Sequence, residues 1–260
     1  MNSSRQPTPP WFPQVDRDAR ILVVGASGGM GQALVDALLA GPPCTIGAHW
    51  ATRPLPDQAV PETHRLVELP GELKNDADCR NLVSGFAERG GGLNGLVVLC
   101  GGIARTAHFQ ELTETEWKQD IDLNLSIPFF LARAALKHME NSGGSILLTG
   151  TESALHGGSP TSLAYGVAKR GIECLVQGLA REGAPHGIRV NGIRFGFIRT
   201  GFHERWQGKS DTDLEERAEL VPLKRAGTPE EAAALILFLL SGWAGFITGQ
   251  MISLSGGDWL

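Results

Sequence analysis

Ile21-Leu-Val-Val-Gly-Ala-Ser-Gly-Gly-Met-Gly31 decides how this chain folds. Its first four residues are apolar and largely β-branched, the pattern of a strand buried on both faces of a parallel sheet. Gly25, Gly29 and Gly31 follow at once, with Ser27, Gly28 and Met30 between them. Residues 32–40 then have helical composition and periodicity. Strand, glycine turn and helix in this order make the context of a dinucleotide phosphate site. Glycines let the backbone approach the pyrophosphate, and the helix N-terminus faces its charge. Taken alone, the stretch is equally an ordinary glycine turn of an α/β protein.

Outward from this turn the same rhythm continues. Strands are expected at 21–26, 44–49, 65–69, 95–100, 145–150, 188–194 and 250–254. Helices are expected at 30–40, 76–89, 114–139, 163–182, 212–219 and 229–241. Such alternation predicts an α/β fold with a parallel sheet covered by helices on both faces. No repeat or linker divides the chain, and 260 residues suffice for one large domain. Residues 1–18 are polar and proline-rich and read as a flexible tail, leaving 19–260 as the domain. The polar, aromatic-dotted stretch 200–222 interrupts the rhythm just after a strand, where ligands bind in open sheets. It is a candidate substrate lid, or else a solvated surface helix.

Composition narrows the partners. The net charge is −5, with acids and bases interspersed, so nucleic acid and anionic membranes are not expected. The apolar run 232–240 is too short to span a bilayer. Four cysteines, Cys44, Cys79, Cys100 and Cys174, form no metal-type spacing, which suits a reduced cytoplasmic protein without a metal.

Tyr165 and Lys169 stand in Leu163-Ala-Tyr-Gly-Val-Ala-Lys169, at the opening of an expected helix. A spacing of four puts them on one face. A lysine ammonium beside a phenol favours the phenolate, drawing the tyrosine pKa toward neutrality. Such a phenol can protonate a forming alkoxide or take a proton from an alcohol. On its own the pair is also a common surface pattern.

These features occur in one order with others: Asn124 in Asp122-Leu-Asn-Leu-Ser126, Arg189-Val-Asn-Gly-Ile193, Gly196-Phe-Ile-Arg-Thr200 and Ile247-Thr-Gly-Gln250. From about residue 19 onward the chain resembles the short-chain dehydrogenase/reductases. The resemblance implies a Rossmann-type doubly wound fold, a seven-stranded, mostly parallel sheet, a nicotinamide cofactor and a homotetramer. It implies Tyr165 as general acid/base, and Lys169 holding the nicotinamide ribose hydroxyls and lowering the Tyr165 pKa. Asn124 would hold a relay water at a break in its helix. Gly25, Ser27, Gly28, Gly29, Met30, Gly31, Cys100, Gly101, Gly102 and Gly196 would surround the cofactor. Ile198 and Thr200 would meet the carboxamide, although Thr200 is also a possible helix N-cap. Glu72 and Leu73 match the adenine position.

Several positions depart from the family pattern. Glu152 stands thirteen residues before Tyr165, where the family has serine. Aligning the strand that leads into the site gives the serine role to Thr151, with a one-residue longer loop before Tyr165; Ser153 is the alternative. Glu152 is expected to point away. Val24, Leu99-Cys-Gly-Gly102 and Phe195 replace the family's threonine, its Asn-Asn-Ala-Gly segment and its proline. His49 stands at the end of the second strand, where an acidic residue would bind the adenosine ribose and select NAD. Without that carboxylate, and with Arg53 nearby, NADP(H) is favoured over NAD(H). Leu155, His156, Phe195, Phe202, His203 and Trp206 are candidates for a largely apolar substrate pocket, with His156 and His203 as surface histidines. The expected activity is reduction of a ketone with NADPH. The alternatives are an NAD-dependent alcohol dehydrogenase and a cofactor-binding sensor or scaffold with little turnover.

Overall fold

A computed structural model describes residues 14–258. The proline-rich start up to residue 13, and residues 259–260, lie outside the described residues. Chain order runs β1 (Ala19–Val24), α1 (Gly29–Leu39), β2 (Cys44–Trp50), β3 (Arg65–Pro70), α2 (Asp76–Gly90) and β4 (Gly95–Val98). It continues with α3 (Glu114–Ile121), a π-helical turn Asp122–Ser126, α4 (Ile127–Met139), β5 (Gly144–Thr151) and α5 (Leu163–Gly183). Last come β6 (Ile188–Phe195), α6 (Phe202–Gln207), α7 (Asp211–Leu220), α8 (Pro229–Leu240) and β7 (Met251–Leu254).

The seven strands form one sheet in the order β3-β2-β1-β4-β5-β6-β7, with every pair parallel. The chain reverses its direction of travel across the sheet at β1. The register places Val24 opposite both His49 and Val98, so this switch point opens between the carboxyl ends of β1 and β4. Ile21, Leu22, Val23 and Val24 are all buried because both faces of β1 are covered. One core layer joins the sheet to α1 and α8, and the other joins it to α2, α4 and α5.

The element boundaries differ from the sequence expectations at several places. The strand expected at 95–100 ends at Val98, with one last ladder bond from the Leu99 N–H to the Val24 carbonyl at 2.8 Å. Cys100 to Gly102 are thereby released into the site. The helical stretch expected at 114–139 carries the break at Asn124 that the family resemblance implied, as a π turn. Packing also begins before residue 19, since Val15 is 5% exposed within the core. The lid stretch holds α6 as well as the expected α7, and left-handed glycines bound α6 at both ends, Gly201 with φ 76° and Gly208 with φ 63°.

Arg189 of β6 fastens the far end of α8. Its guanidinium donates to the carbonyls of Leu239 at 2.7 Å, Ala244 at 3.1 Å, and Leu240 and Ser241 at 3.2 Å each. These carbonyls include helix-terminal acceptors that have no partner within the helix. The cation also opposes the negative end of the helix dipole. Arg189→Ala should cost about 2 kcal/mol or more in urea unfolding, with Lys restoring only part, since lysine lacks the planar fork.

Candidate active site

The carboxyl ends of β1, β4, β5 and β6 open into a cavity of ≈550 Å³, roofed by α6 and α7. The start of α5 is seated on the loop before it. Gly166 permits this, because a Cβ there would lie 2.7 Å from the backbone of Gly157 and Gly158. That seating sets where Tyr165 and Lys169 stand, one turn apart and both on the cavity wall.

Tyr165 is half-buried and lines the cavity together with Thr151 at the end of β5. The Phe202 ring of α6 lies 6.0 Å from the Tyr165 ring, centroid to centroid. Lys169 is 2% exposed and donates from Nζ to the Thr149 carbonyl at 3.0 Å. Burial pushes the Lys169 ammonium down to about 8. It pushes the Tyr165 phenol upward; the Thr151 hydrogen bond opposes this and the Asp120 carboxylate reinforces it. The expected lowering of the Tyr165 pKa by Lys169 is therefore corrected. Desolvation dominates, and the ammonium is turned onto the Thr149 carbonyl, with Nζ 5.8 Å from the phenol ring centroid.

Asn124 lies at the helix break, fully buried. Its Nδ2 donates to the carbonyls of Gly102 and Asp120 at 2.9 Å, and its Oδ1 accepts from the Gly102 N–H at 3.2 Å. A Cβ on Gly101 would stand 3.0 Å from Asn124 Oδ1 and 3.3 Å from Lys169 Nζ, so Gly101 lies where these side chains converge. Thr151 Oγ1 lies 3.2 Å from Ser153 Oγ and donates to the Phe195 carbonyl at 3.4 Å. Both hydroxyls line the cavity. Glu152, expected to point away, turns its carboxylate toward β6 and β7. It is 3% exposed, accepts from the Ser253 hydroxyl and pairs with Arg194 at 3.6 Å, tying the turn to β6 and β7. The sequence signal for this was a polar residue inside an otherwise conventional strand–turn junction.

The glycine turn forms a cradle that side chains would fill. Gly25 has φ 89°, and a Cβ on it would lie 2.9 Å from the Cys100 nitrogen. A Cβ on Gly31 would lie 2.3 Å from the Gly25 carbonyl oxygen, and one on Gly29 would lie 3.0 Å from that of Thr200. The turn, the end of β4 and the loop after β6 therefore converge at the start of α1, where Gly28 is the N-cap. Met30, Cys100, Gly101, Gly196, Ile198 and Thr200 line the cavity there. These residues fit a dinucleotide, with the pyrophosphate on the helix N-terminus and one end of the ligand beside Tyr165. Glu72 and Leu73 lie away from the cavity; Glu72 pairs with Lys74 at 2.5 Å, and Leu73 packs on the core.

His49 is buried, with Nε2 donating to the Gly71 carbonyl at 2.9 Å. Burial pushes its pKa down, so the imidazole is neutral and supplies no charge to a phosphate. Arg53 does reach the turn, donating to the Ser27 carbonyl at 3.3 Å. Of the expected pocket residues, His156, Phe195, Phe202 and His203 line the cavity, whereas Leu155 is exposed outside it. Trp206 instead covers Gly102, with its ring 2.7 Å from where a Cβ would stand. His203 is not a surface residue: it is half-buried, 3.1 Å from Gln207 Oε1 and stacked near Phe197. Thr200 is not a helix cap, since Gly201 holds that position. Among the described residues all four cysteines are free, no metal-type cluster occurs, and no helix is long and apolar enough to cross a membrane.

Comparison with known proteins agrees with this geometry. The family profile described as Enoyl-(Acyl carrier protein) reductase matches residues 25–258. The chain is 30% identical over 257 residues to (3R)-3-hydroxyacyl-CoA dehydrogenase of Mus musculus, covering 93% of this chain and 96% of that protein. It is 36% identical over 162 residues to a 3-oxoacyl-(acyl-carrier-protein) reductase of Chlamydia muridarum, covering 62% of this chain and 64% of the other. A short-chain type dehydrogenase/reductase structure from Mycobacterium ulcerans superposes with TM-score 0.83 at 26% identity, covering 94% of this chain and 90% of that one.

Of the two cavity hydroxyls, Thr151 is the one that acts on the Tyr165 phenol, opposing the rise of its pKa. Thr151→Ala should lower kcat by about tenfold or more, as loss of a donor beside the reacting oxygen does, and Ser153→Ala should lower it less. Steady-state kinetics that returned the reverse order would transfer the role to Ser153.

Proposed function

The chain belongs to the short-chain dehydrogenase/reductase family and is an oxidoreductase acting on CH–OH or C=O groups, and on that premise we propose that it reduces a ketone with NADPH, using Tyr165 as the proton donor. The observation that carries this reading is that Tyr165, Lys169 and Thr151 line one cavity, together with Met30 of the glycine turn and Ile198 and Thr200 of the loop after β6. When bound, a nicotinamide supplies the hydride that reduces the carbonyl carbon. This chain's residues do the rest. Gly25 to Gly31 cradle the pyrophosphate, and Ile198 and Thr200 hold the carboxamide. Lys169, held down to about 8, retains enough positive charge near neutrality to grip ribose hydroxyls. Thr151 donates to the carbonyl oxygen, and Tyr165 delivers the proton to it as charge develops. Asn124 holds the relay water on this reading while it clamps Gly102.

The NADP(H) preference rests on Arg53. Its guanidinium stands over the glycine turn on the Ser27 carbonyl, and the neutral His49 neither repels nor attracts a 2′-phosphate. The relatives named for acyl thioester substrates and the partly aromatic cavity wall favour a ketone of moderate size. We read the assembly as a homotetramer, with exposed Leu163 and Val167 of α5 in its contacts.

Two measurements test this. Tyr165→Phe keeps the ring and loses the transferable proton, so turnover across a ketone panel should vanish while cofactor affinity changes little. Retained turnover on a confirmed substrate would remove Tyr165 from the role. Separately, Arg53→Ala should weaken NADPH by about tenfold and leave NADH unchanged in a fluorescence titration, because only NADPH offers the guanidinium a phosphate. Equal effects on both, with NADH bound as tightly as NADPH, would instead assign NAD(H) and the alcohol-oxidising reading.

A further inference from the structure

The cavity wall carries an imidazole that the hydride and proton steps leave unused. His203 of α6 lines the cavity and is half-buried, whereas His156, the other histidine lining it, is exposed. Left-handed glycines at 201 and 208 bound α6, and the His203 carbonyl accepts from the Lys209 N–H at 3.3 Å, so the backbone under the ring is held on both sides. The ring lies 5.1 Å from that of Phe197 and stands edge-on to that of Phe202 at 5.6 Å, centroid to centroid. Phe202 is in turn 6.0 Å from the Tyr165 ring. For a ketone whose carbonyl sits beside Tyr165, His203 therefore stands one aromatic ring further along the same wall.

The bond to Gln207 decides which ring nitrogen carries the proton. Gln207 Oε1 can only accept, and it lies 3.1 Å from His203 Nδ1, so Nδ1 is the donor. The lone pair of the neutral imidazole is then on Nε2. Nε2 has no hydrogen-bond partner among the described residues, and it is not sealed from solvent. Burial favours this neutral form; the Gln207 bond and Glu204 work against it, and Arg217 and Lys209 support it.

The charged groups of the same cavity are engaged elsewhere or solvated. Lys169 donates to the Thr149 carbonyl, and Glu152 is tied to Arg194 and Ser253. Arg217 pairs with Asp258 and lies over the Phe197 ring at 5.5 Å. Lys209, Asp213 and Glu216 are exposed. A carboxylate or phosphate on the substrate would thus meet no unengaged buried cation among the described residues, and the acids on the wall would repel it. We propose that His203 is a specificity-determining residue whose Nε2 accepts a hydrogen bond from a hydroxyl of the substrate, and that the ketone is therefore a neutral hydroxyketone. This rests on the ketone-reductase reading and deepens it by naming the substrate class. An acceptor left unpaired by the compound without the hydroxyl is what lets such a site discriminate.

Nitrogen NMR of the full chain, carrying ring-labelled histidine, tests the acceptor without turnover. The His203 signals are those lost in His203→Phe, which keeps a ring against Phe197 and Phe202; should that variant not fold, His203→Gln makes the assignment. Without ligand at neutral pH, Nδ1 should be protonated and Nε2 bare. In the presence of NADP, meta- and para-hydroxyacetophenone and the hydroxycyclohexanones should move the Nε2 signal toward its protonated position. Acetophenone and cyclohexanone should leave it in place. In steady-state kinetics with NADPH, kcat/KM should favour the hydroxylated member of a pair by about tenfold. That ratio should fall to near one in His203→Phe and be partly restored in His203→Gln, whose amide oxygen can accept. A ring with its proton on Nε2, an Nε2 signal that answers to both members of every pair or to neither, or a preference that survives His203→Phe overturns the proposal. Retained turnover in Tyr165→Phe would remove the proton donor and leave these nitrogen signals as they are, so the two failures are distinguishable.

Discussion

Backbone lying directly on backbone at the carboxyl end of β1 is the contact on which the rest of this structure depends. Gly25 faces the end of β4 and Gly31 faces Gly25, each at a separation that no Cβ would fit, and Gly29 faces the loop after β6 with room for a Cβ only if that loop gives way. The convergence has one origin. β1 lies at the switch point of the sheet, so the turn after it is flanked on both sides by strands that end at the same level. Absence of side chains there brings the N-terminus of α1 to the mouth of the cavity. The same absence leaves a concave strip of backbone suited to an extended phosphate ligand.

Desolvation governs the electrostatics of the site. It pushes the Tyr165 phenol up, the Lys169 ammonium down and the His49 imidazole down, each toward its neutral form. Proximity on a helix face does not by itself make a lysine lower a tyrosine. The ammonium bonds to the Thr149 carbonyl because that acceptor lies within 3.0 Å of it.

The departures from the family pattern are absorbed by local geometry. A one-residue longer loop still brings Thr151 to the phenol, because β5 runs on to residue 151 and sets its direction. Glu152, which follows it, is taken into a buried pairing with Arg194 and Ser253 that stiffens the turn carrying both hydroxyls. Gly101 and Gly102 leave room for the side chains of Lys169, Asn124 and Trp206, where larger residues would collide with them.

Strand and helix positions, the glycine turn and the Tyr165–Lys169 pair were legible in the residues alone, because periodicity and composition are local. So was the family, because its motifs recur in a set order. Where a local pattern met a long-range contact, it fell short. The strand expected at 95–100 ends at Val98, and the π turn at Asn124, which the family resemblance implied, is held by a contact with Gly102 twenty-two positions away. Asp120 has the pattern of a solvated helix residue, and only the packed chain buries it on the Ala104 N–H. The direction of each pKa shift was likewise beyond the sequence. Sequence spacing tells which groups are near one another, but burial decides which charge survives, and burial is a property of the whole packed chain.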